Sequence, residues 1–286
     1  MGWGLLHIWR LNPPFGLRQT TWFVLGTIAM AAIFTAPENL RWLRRYRYLW
    51  LIVGLALTGL TLFFGTNPSG GAPRLWLGCC GIYLQPSEPL RLLLIAFLAS
   101  YLAERLPYNT GRLRDWMPIL SPLLVIYGLS VALLIAQQDL GTGTVFLTLL
   151  ALMIYLATSR WQVLVISVVV AAVGGALGYQ LFDVVQLRMQ AWLNPWLDPT
   201  GGSYQLVQAL IAIASGGLIG SGFGMGSPGF VPVIHSDFIF TAIVEEWGLM
   251  GGLAVIALFA VLIARGFRIA ARCRDPFKAL LAAGIS

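Results

Sequence analysis

Charge is what this sequence has least of. Of 286 residues only 10% are charged, against about 25% in an ordinary soluble domain, while 58% are hydrophobic. So few charges cannot cover a water-facing surface, which excludes a soluble enzyme, a disordered chain and a disulfide-rich secreted domain, and requires an integral membrane protein. Lysine is nearly absent too: Lys278 is the one lysine among 18 basic residues, which outnumber 11 acidic ones for a net charge of +7. Such a surplus can serve nucleic acid, but here it sits in short loops between apolar runs, where membrane orientation explains it and no nucleic-acid partner is implied. Cysteine is scarce. Cys79, Cys80 and Cys273 give no zinc spacing, neighbours make poor disulfide partners, and Cys273 falls on the opposite side of the membrane. His7 and His235 are too few for a zinc site. No internal repeat, low-complexity tract or small-residue cleavage site stands out, so the N-terminus does not read as a signal peptide.

What is present is apolar sequence in long runs. Seven can cross a membrane: Thr20–Ala36, Tyr48–Gly65, Pro89–Ala103, Pro118–Ala136, Thr142–Thr158, Gln162–Leu181 and Phe238–Ala264. A helix of 17 to 20 residues covers about 25–30 Å, and only helices or closed barrels satisfy their backbone in lipid. Pro89–Ala103 is short and is expected to begin inside the Gln85–Glu88 turn. Asn12-Pro13-Pro14 breaks the helix before the first span, and Phe277–Ser286 starts an eighth apolar run. The expected fold class is all-α: a polytopic membrane helical bundle of seven full spans plus the start of an eighth. A single membrane domain over residues 1–286 carries one large extracytoplasmic loop, residues 183–237.

The charges orient it. Arg41, Arg44, Arg45, Arg47, Arg105, Arg112, Arg114, Arg160 and the cluster after the seventh span lie in alternate loops, which hold 13 of the 18 basic residues. By the positive-inside rule those loops are cytoplasmic. Arg10 and Arg18 fall on the outer side, a mild violation that a further upstream span would explain. Glu88, Asp139, Asp183, Asp198, Asp237, Glu245 and Glu246, seven of the 11 acids, lie in outer loops or outer halves of spans. Acids contribute little to topology, so their gathering points to chemistry on the outer face.

The outer loop is too long for an idle connection. Its aromatic residues Trp192, Trp196, Tyr204, Phe223 and Phe230 suit headgroup depth, and the apolar stretch Tyr204–Leu218 predicts a helix in the interface or re-entering the protein. Asp198, between Trp196 and the Pro199–Gly202 turn, is a candidate general base with a raised pKa; ordinary Asp-Pro-x-Gly turn chemistry is the alternative. The glycines from Gly216 to Gly229 lack the Lys and the βαβ context of a nucleotide loop, leaving a close approach to a headgroup or a plain flexible turn. His235 and Asp237 are expected to order the edge of the outer pocket. Charges near spans are costly and often functional: Glu88 and Arg91 share a helix face and can pair. Glu245 and Glu246 begin about 11 Å inside the seventh span, where one is protonated or pairs with an Arg. A helix-packing ion pair explains either group equally well.

Gly71-Ala72-Pro73-Arg74, Gln85-Pro86-Ser87-Glu88-x-x-Arg91, Gln138-Asp139-Leu140-Gly141-Thr142, Trp196-Leu197-Asp198-Pro199-x-Gly-x-Ser-Tyr204-Gln205, His235-Ser236-Asp237-Phe238 and Glu245-Glu246-x-Gly248 occur in the order and on the membrane sides of one family. Over roughly residues 18–286 the chain resembles the SEDS family (RodA, FtsW and SpoVE). The resemblance implies a multi-span glycosyltransferase of the bacterial plasma membrane, active on the extracytoplasmic face, that polymerises lipid II beside a class B penicillin-binding protein. It implies Asp198 as the essential carboxylate and Glu88 with Arg91 as a pair lining a central cavity. Arg74, Arg188, Tyr204, Gln205, His235, Asp237 and Glu246 are the further candidates for substrate binding. Arg stands at position 91 where the family usually has Lys, which keeps the charge and changes the geometry. Gln137-Gln138-Asp139 replaces the commoner Gln-Pro-Asp, and Leu75 separates Arg74 from Trp76. The family has ten spans; on this reading the chain lacks the first and the last two.

The sequence specifies no cofactor, and a divalent cation or an Arg can stabilise a departing pyrophosphate. Two other classes fit many spans and intramembrane charges: a flippase for lipid-linked precursors, and a non-catalytic scaffold of the elongation or division machinery.

Overall fold

The computed structural model describes residues 2–35, 41–67, 74–79, 82–105 and 117–286. The expected Gly71–Pro73 segment, Cys80, Arg112 and Arg114 lie outside them. Twelve α-helices dominate the described residues: α1 (Gly2–Leu11), α2 (Pro13–Thr35), α3 (Arg41–Arg45), α4 (Arg47–Phe64), α5 (Ser87–Arg105), α6 (Met117–Ala136), α7 (Leu140–Thr158), α8 (Trp161–Leu181), α9 (Asp183–Leu193), α10 (Tyr204–Gly216), α11 (Ile239–Arg272) and α12 (Pro276–Ile285). This is an all-α polytopic membrane protein. Each of the seven expected spans coincides with a helix, and five of these (α2, α4, α7, α8 and α11) are long and apolar enough by themselves to cross a membrane. Asn12 separates α1 from α2 as expected, since Pro13 and Pro14 open a helix where their missing N–H groups have no partner to lose. Among the described residues the strands form a single hairpin, β1 (Leu77–Cys79) antiparallel to β2 (Ile82–Leu84), in register Leu77 to Leu84.

The chain folds as two compact units, both discontinuous in sequence. In the unit formed by residues 39–175 and 262–286, α5 is the central helix: α4, α7 and α12 pack around it. Leu90, Leu94, Phe97, Leu98 and Tyr101 are buried there against Leu51, Phe146, Met153 and Phe277. A helix apolar on all sides belongs in such a position. Gln137, at the end of α6, is buried and donates from Nε2 to the Thr58 carbonyl and the Thr61 hydroxyl of α4, both at 2.7 Å, giving this buried amide the partners it needs. Asp139 caps α7 by accepting from the Thr142 N–H at 3.1 Å. Arg44 and Arg47 both meet Glu104 at the end of α5. That places the start of α4 and the end of α5 on one side, as the distribution of basic loops requires.

The other unit comprises residues 1–38 and 176–261. Its small core joins Ala209 and Ala212 of α10, Val231 and Ile234 of the following loop, and Ala242 of α11, with Leu11 and Phe238 packed against them. The expected helix at Tyr204 is present as α10. The expected seventh span is not one straight helix: α11 breaks at Gly248, where φ is +68°.

Candidate functional site

Asp198 lies in the turn that feeds α10. Its side chain is exposed, and both oxygens are engaged: Oδ1 accepts from the Gly201 N–H at 3.0 Å and Oδ2 from the Gly202 N–H at 2.7 Å. The turn is closed by Ser203 N–H donating to the Asp198 carbonyl and Tyr204 N–H to the Gly201 carbonyl. The turn chemistry offered by Asp-Pro-x-Gly is therefore real, and it leaves part of the carboxylate's accepting capacity unused. Each oxygen has a second lone-pair site, so the bonds to Gly201 and Gly202 fix its direction without exhausting it. Gly201 is needed here because a Cβ would overlap the Asp198 carboxylate. Next along α10, Gln205 donates from Nε2 to the Pro232 carbonyl at 2.9 Å, tying the helix to the return loop. His235 stacks on Phe15 of α2, with ring centroids 4.7 Å apart. Asp237 and Arg188 are exposed, and Tyr204 is half-buried.

Glu245 and Glu246 are buried in α11, each with its own partners. Arg10 of α1 forms an ion pair with Glu246 and donates to the Gly226 carbonyl at 3.2 Å. His7 Nδ1 donates to the Trp3 carbonyl at 3.0 Å, leaving Nε2 3.4 Å from the Glu246 carboxylate. Burial pushes the His7 imidazole below its usual range; the hydrogen bond to Trp3 opposes this and the Arg10 charge adds to it. Glu245 accepts from the Ser227 N–H at 2.8 Å. Trp3 and Trp247 meet edge to face at 5.1 Å, so α1 is held to α11 by aromatic contact as well as charge. Arg10 and His7 are not candidates on sequence grounds. The one signal is Arg10 itself, a basic residue that the positive-inside rule does not expect where the sequence puts it; the structure makes it a counter-charge to Glu246.

The glycine-rich segment after α10 is an ordered part of the same structure. The break at Gly248 frees backbone groups of α11, and the segment satisfies them. Ser221 and Gly222 N–H groups donate to the Glu245 and Glu246 carbonyls at 3.0 Å. In return the Leu249 and Met250 N–H groups donate to the Gly217 and Leu218 carbonyls at 2.9 and 3.2 Å. Gly216 and Gly220 have no room for a Cβ beside the backbone of α11. The flexible turn expected here is instead a backbone splice that makes a bent span possible.

Arg74, Glu88 and Arg91 belong to the other unit. Arg91 donates to Glu88 at 2.6 Å across one helical turn, as their spacing predicts, and both side chains remain substantially exposed. Arg74 is exposed next to the bridge that pairs Thr66 with Trp76. No three His, Cys, Asp or Glu side chains among the described residues gather to hold a cation.

Five helices long and apolar enough to cross a membrane define a polytopic membrane protein, and in one of its units a loop carries a carboxylate held by two backbone N–H groups. The FtsW/RodA/SpoVE family, described as "Cell cycle protein", matches residues 12–286, and the chain belongs to that family. Among its relatives, the protein named peptidoglycan glycosyltransferase RodA of Mycobacterium tuberculosis (strain H37Rv) is 34% identical over 308 residues, covering 100% of this chain and 65% of its own length. Stage V sporulation protein E of Bacillus subtilis (strain 168) is 34% identical over 274 residues, covering 95% of this chain and 73% of its own. The chain thus spans about 65% of the length of the mycobacterial relatives it matches. The fold is shared with a chain from a peptidoglycan synthase complex (TM-score 0.78, 24% identity, 99% of this chain and 78% of that one). It is shared also with the rod shape determining protein RodA of Thermus thermophilus (TM-score 0.64, 23% identity, 99% and 75%).

Proposed function

We propose that this protein is a peptidoglycan glycosyltransferase that polymerises lipid II on the extracytoplasmic face of the bacterial plasma membrane, with Asp198 as general base. Membership of the FtsW/RodA/SpoVE family carries the reading, and relatives named peptidoglycan glycosyltransferase support it. The carboxylate of Asp198, exposed and aimed by two backbone N–H groups, has the form such a base needs. It would take the proton of the acceptor GlcNAc 4-hydroxyl as that oxygen attacks the anomeric carbon of the donor MurNAc. The pyrophosphate leaves from the opposite face and the configuration inverts. A pyrophosphate leaving group needs charge neutralisation more than a proton, so the paired carboxylates of a glycoside hydrolase are unnecessary. Arg188, in the same unit as Asp198, is the candidate to receive it, and Tyr204, Gln205, His235, Asp237 and Glu246 are those to shape or support the acceptor side. A class B penicillin-binding protein is the proposed partner, in keeping with the synthase complex that one structurally similar chain comes from.

The test is lipid II polymerisation by the full-length protein with its penicillin-binding partner, resolved as glycan strands on a gel. Asp198→Asn is expected to lose about 10²–10⁴-fold in rate, the usual worth of a general base, while keeping one acceptor for the turn. Unimpaired polymerisation by that variant would sink the assignment of the base. Movement of lipid II across the bilayer without polymerisation would favour the flippase.

A further inference from the structure

Where α3, α4 and the end of α5 meet, Arg44, Arg45, Arg47, Tyr48 and Glu104 line an open pocket of about 390 Å³. Among the described residues its lining has three guanidinium groups and one carboxylate. Glu104 is fully committed: Arg44 Nε donates to Oε1 at 2.9 Å and Arg47 to Oε2 at 2.5 Å. Burial raises the Glu104 carboxyl somewhat, but the hydrogen bonds from Arg47 and Arg44 outweigh it and hold the group below the usual carboxylate range. It is ionised, and among the described residues lining the pocket the positive charges outnumber it three to one. Arg47 is fixed further by donating to the Ser100 hydroxyl at 3.0 Å and by lying over the Tyr48 ring at 5.2 Å. A preformed, cationic concavity of this volume fits a tetrahedral anion and its substituents.

Its depth narrows the ligand. The apolar run of α4 starts at Tyr48 and that of α5 ends at Ala103, so the pocket lies at the boundary of the hydrocarbon. Trp42, Tyr46 and Tyr48 are exposed around it, and Trp42 meets Trp50 edge to face at 5.5 Å. An aromatic girdle of this kind marks headgroup level. Orientation alone needs basic residues in the loop; it does not need them folded into a pocket around a shared carboxylate.

We propose that this pocket binds a phosphate-bearing anion, with the phosphodiester of an anionic phospholipid as the source that its depth favours. Basic pockets between membrane helices hold such headgroups elsewhere. Nothing in this site depends on the polymerase reading, and binding is its readout.

Native mass spectrometry of the full-length protein, released from micelles containing phosphatidylglycerol or phosphatidylcholine, tests it. Inorganic phosphate is titrated in a separate arm. Preferential retention of phosphatidylglycerol, weakened about tenfold in Arg45→Gln and further in Arg44→Gln/Arg45→Gln, supports a lipid headgroup. Saturable phosphate binding with the same arginine dependence and no lipid preference supports the anion site with a soluble ligand. Glu104→Gln guards against mere misfolding, because removing the negative charge that Arg44 and Arg47 share should tighten binding several-fold. Equal retention of both lipids together with no phosphate binding, or indifference to all three substitutions, overturns the proposal.

Discussion

Asp198 uses both carboxylate oxygens to hold its own turn, and that makes Gly201 a sensitive neighbour. A Cβ at Gly201 would overlap the carboxylate, which can escape only by swinging off the two backbone N–H groups. Gly201→Ala should therefore leave the helices intact while costing the turn its two side-chain hydrogen bonds, about 1 kcal/mol each. It should cut polymerisation by about 10²-fold, the cost of a reacting group misplaced by an ångström. Comparing strand synthesis with the thermal midpoint in detergent checks this, and an unchanged rate would show that the direction of the carboxylate does not matter. Local chemistry of this sort is legible in the residues themselves: Asp-Pro-x-Gly announces its turn, and Glu88 with Arg91 announces a pair across one helical turn. The partner of Glu246 is not, because no spacing rule connects α1 with α11. The only trace is a charge on the unexpected side.

Among the elements, hydropathy locates a helix at every expected span, because lipid imposes length and apolarity directly. It misses where α2 begins and where α11 ends, since both helices run on past their apolar stretches. It is blind to the break in α11 as well, because a backbone discontinuity leaves composition unchanged. The three-residue strands of the hairpin are too short to leave a pattern of alternation. The break sits at Gly248 with φ +68°, and a Cβ there would run into Leu218 and Gly220. Gly248→Ala is expected to destabilise the protein by about 1–3 kcal/mol, the range for a side chain forced into a strained backbone region, and more if the splice with residues 217–222 opens. Thermal unfolding in detergent measures it; an unaltered midpoint would mean that α11 straightens without penalty. The glycines read as a loop of low information, yet they supply the donors and acceptors that the bent helix lacks.

At the scale of the whole molecule, the pairing of Arg10 with Glu246 joins a buried carboxylate to a partly exposed guanidinium from a distant part of the chain. Removing one partner of such a pair strands the other and costs about 3–5 kcal/mol. Arg10→Met should therefore destabilise strongly, and Arg10→Met/Glu246→Gln should recover much of the loss. A double-mutant cycle on thermal midpoints reads the coupling, and strict additivity would deny it. Which segments are apolar enough to be spans is legible at this scale; which of them close on one another is not, because contacts between distant segments leave no local periodicity.

That closure has a timing. Translation delivers about 5–20 residues per second, so α1 waits on the order of tens of seconds before Glu246 exists to meet Arg10. Through that interval the arginine must stay solvated at the surface or be sheltered by the insertion machinery. The unit it belongs to cannot be completed by the order of synthesis alone. The last long helix to be made among the described residues is the one that gives Arg10 its counter-ion.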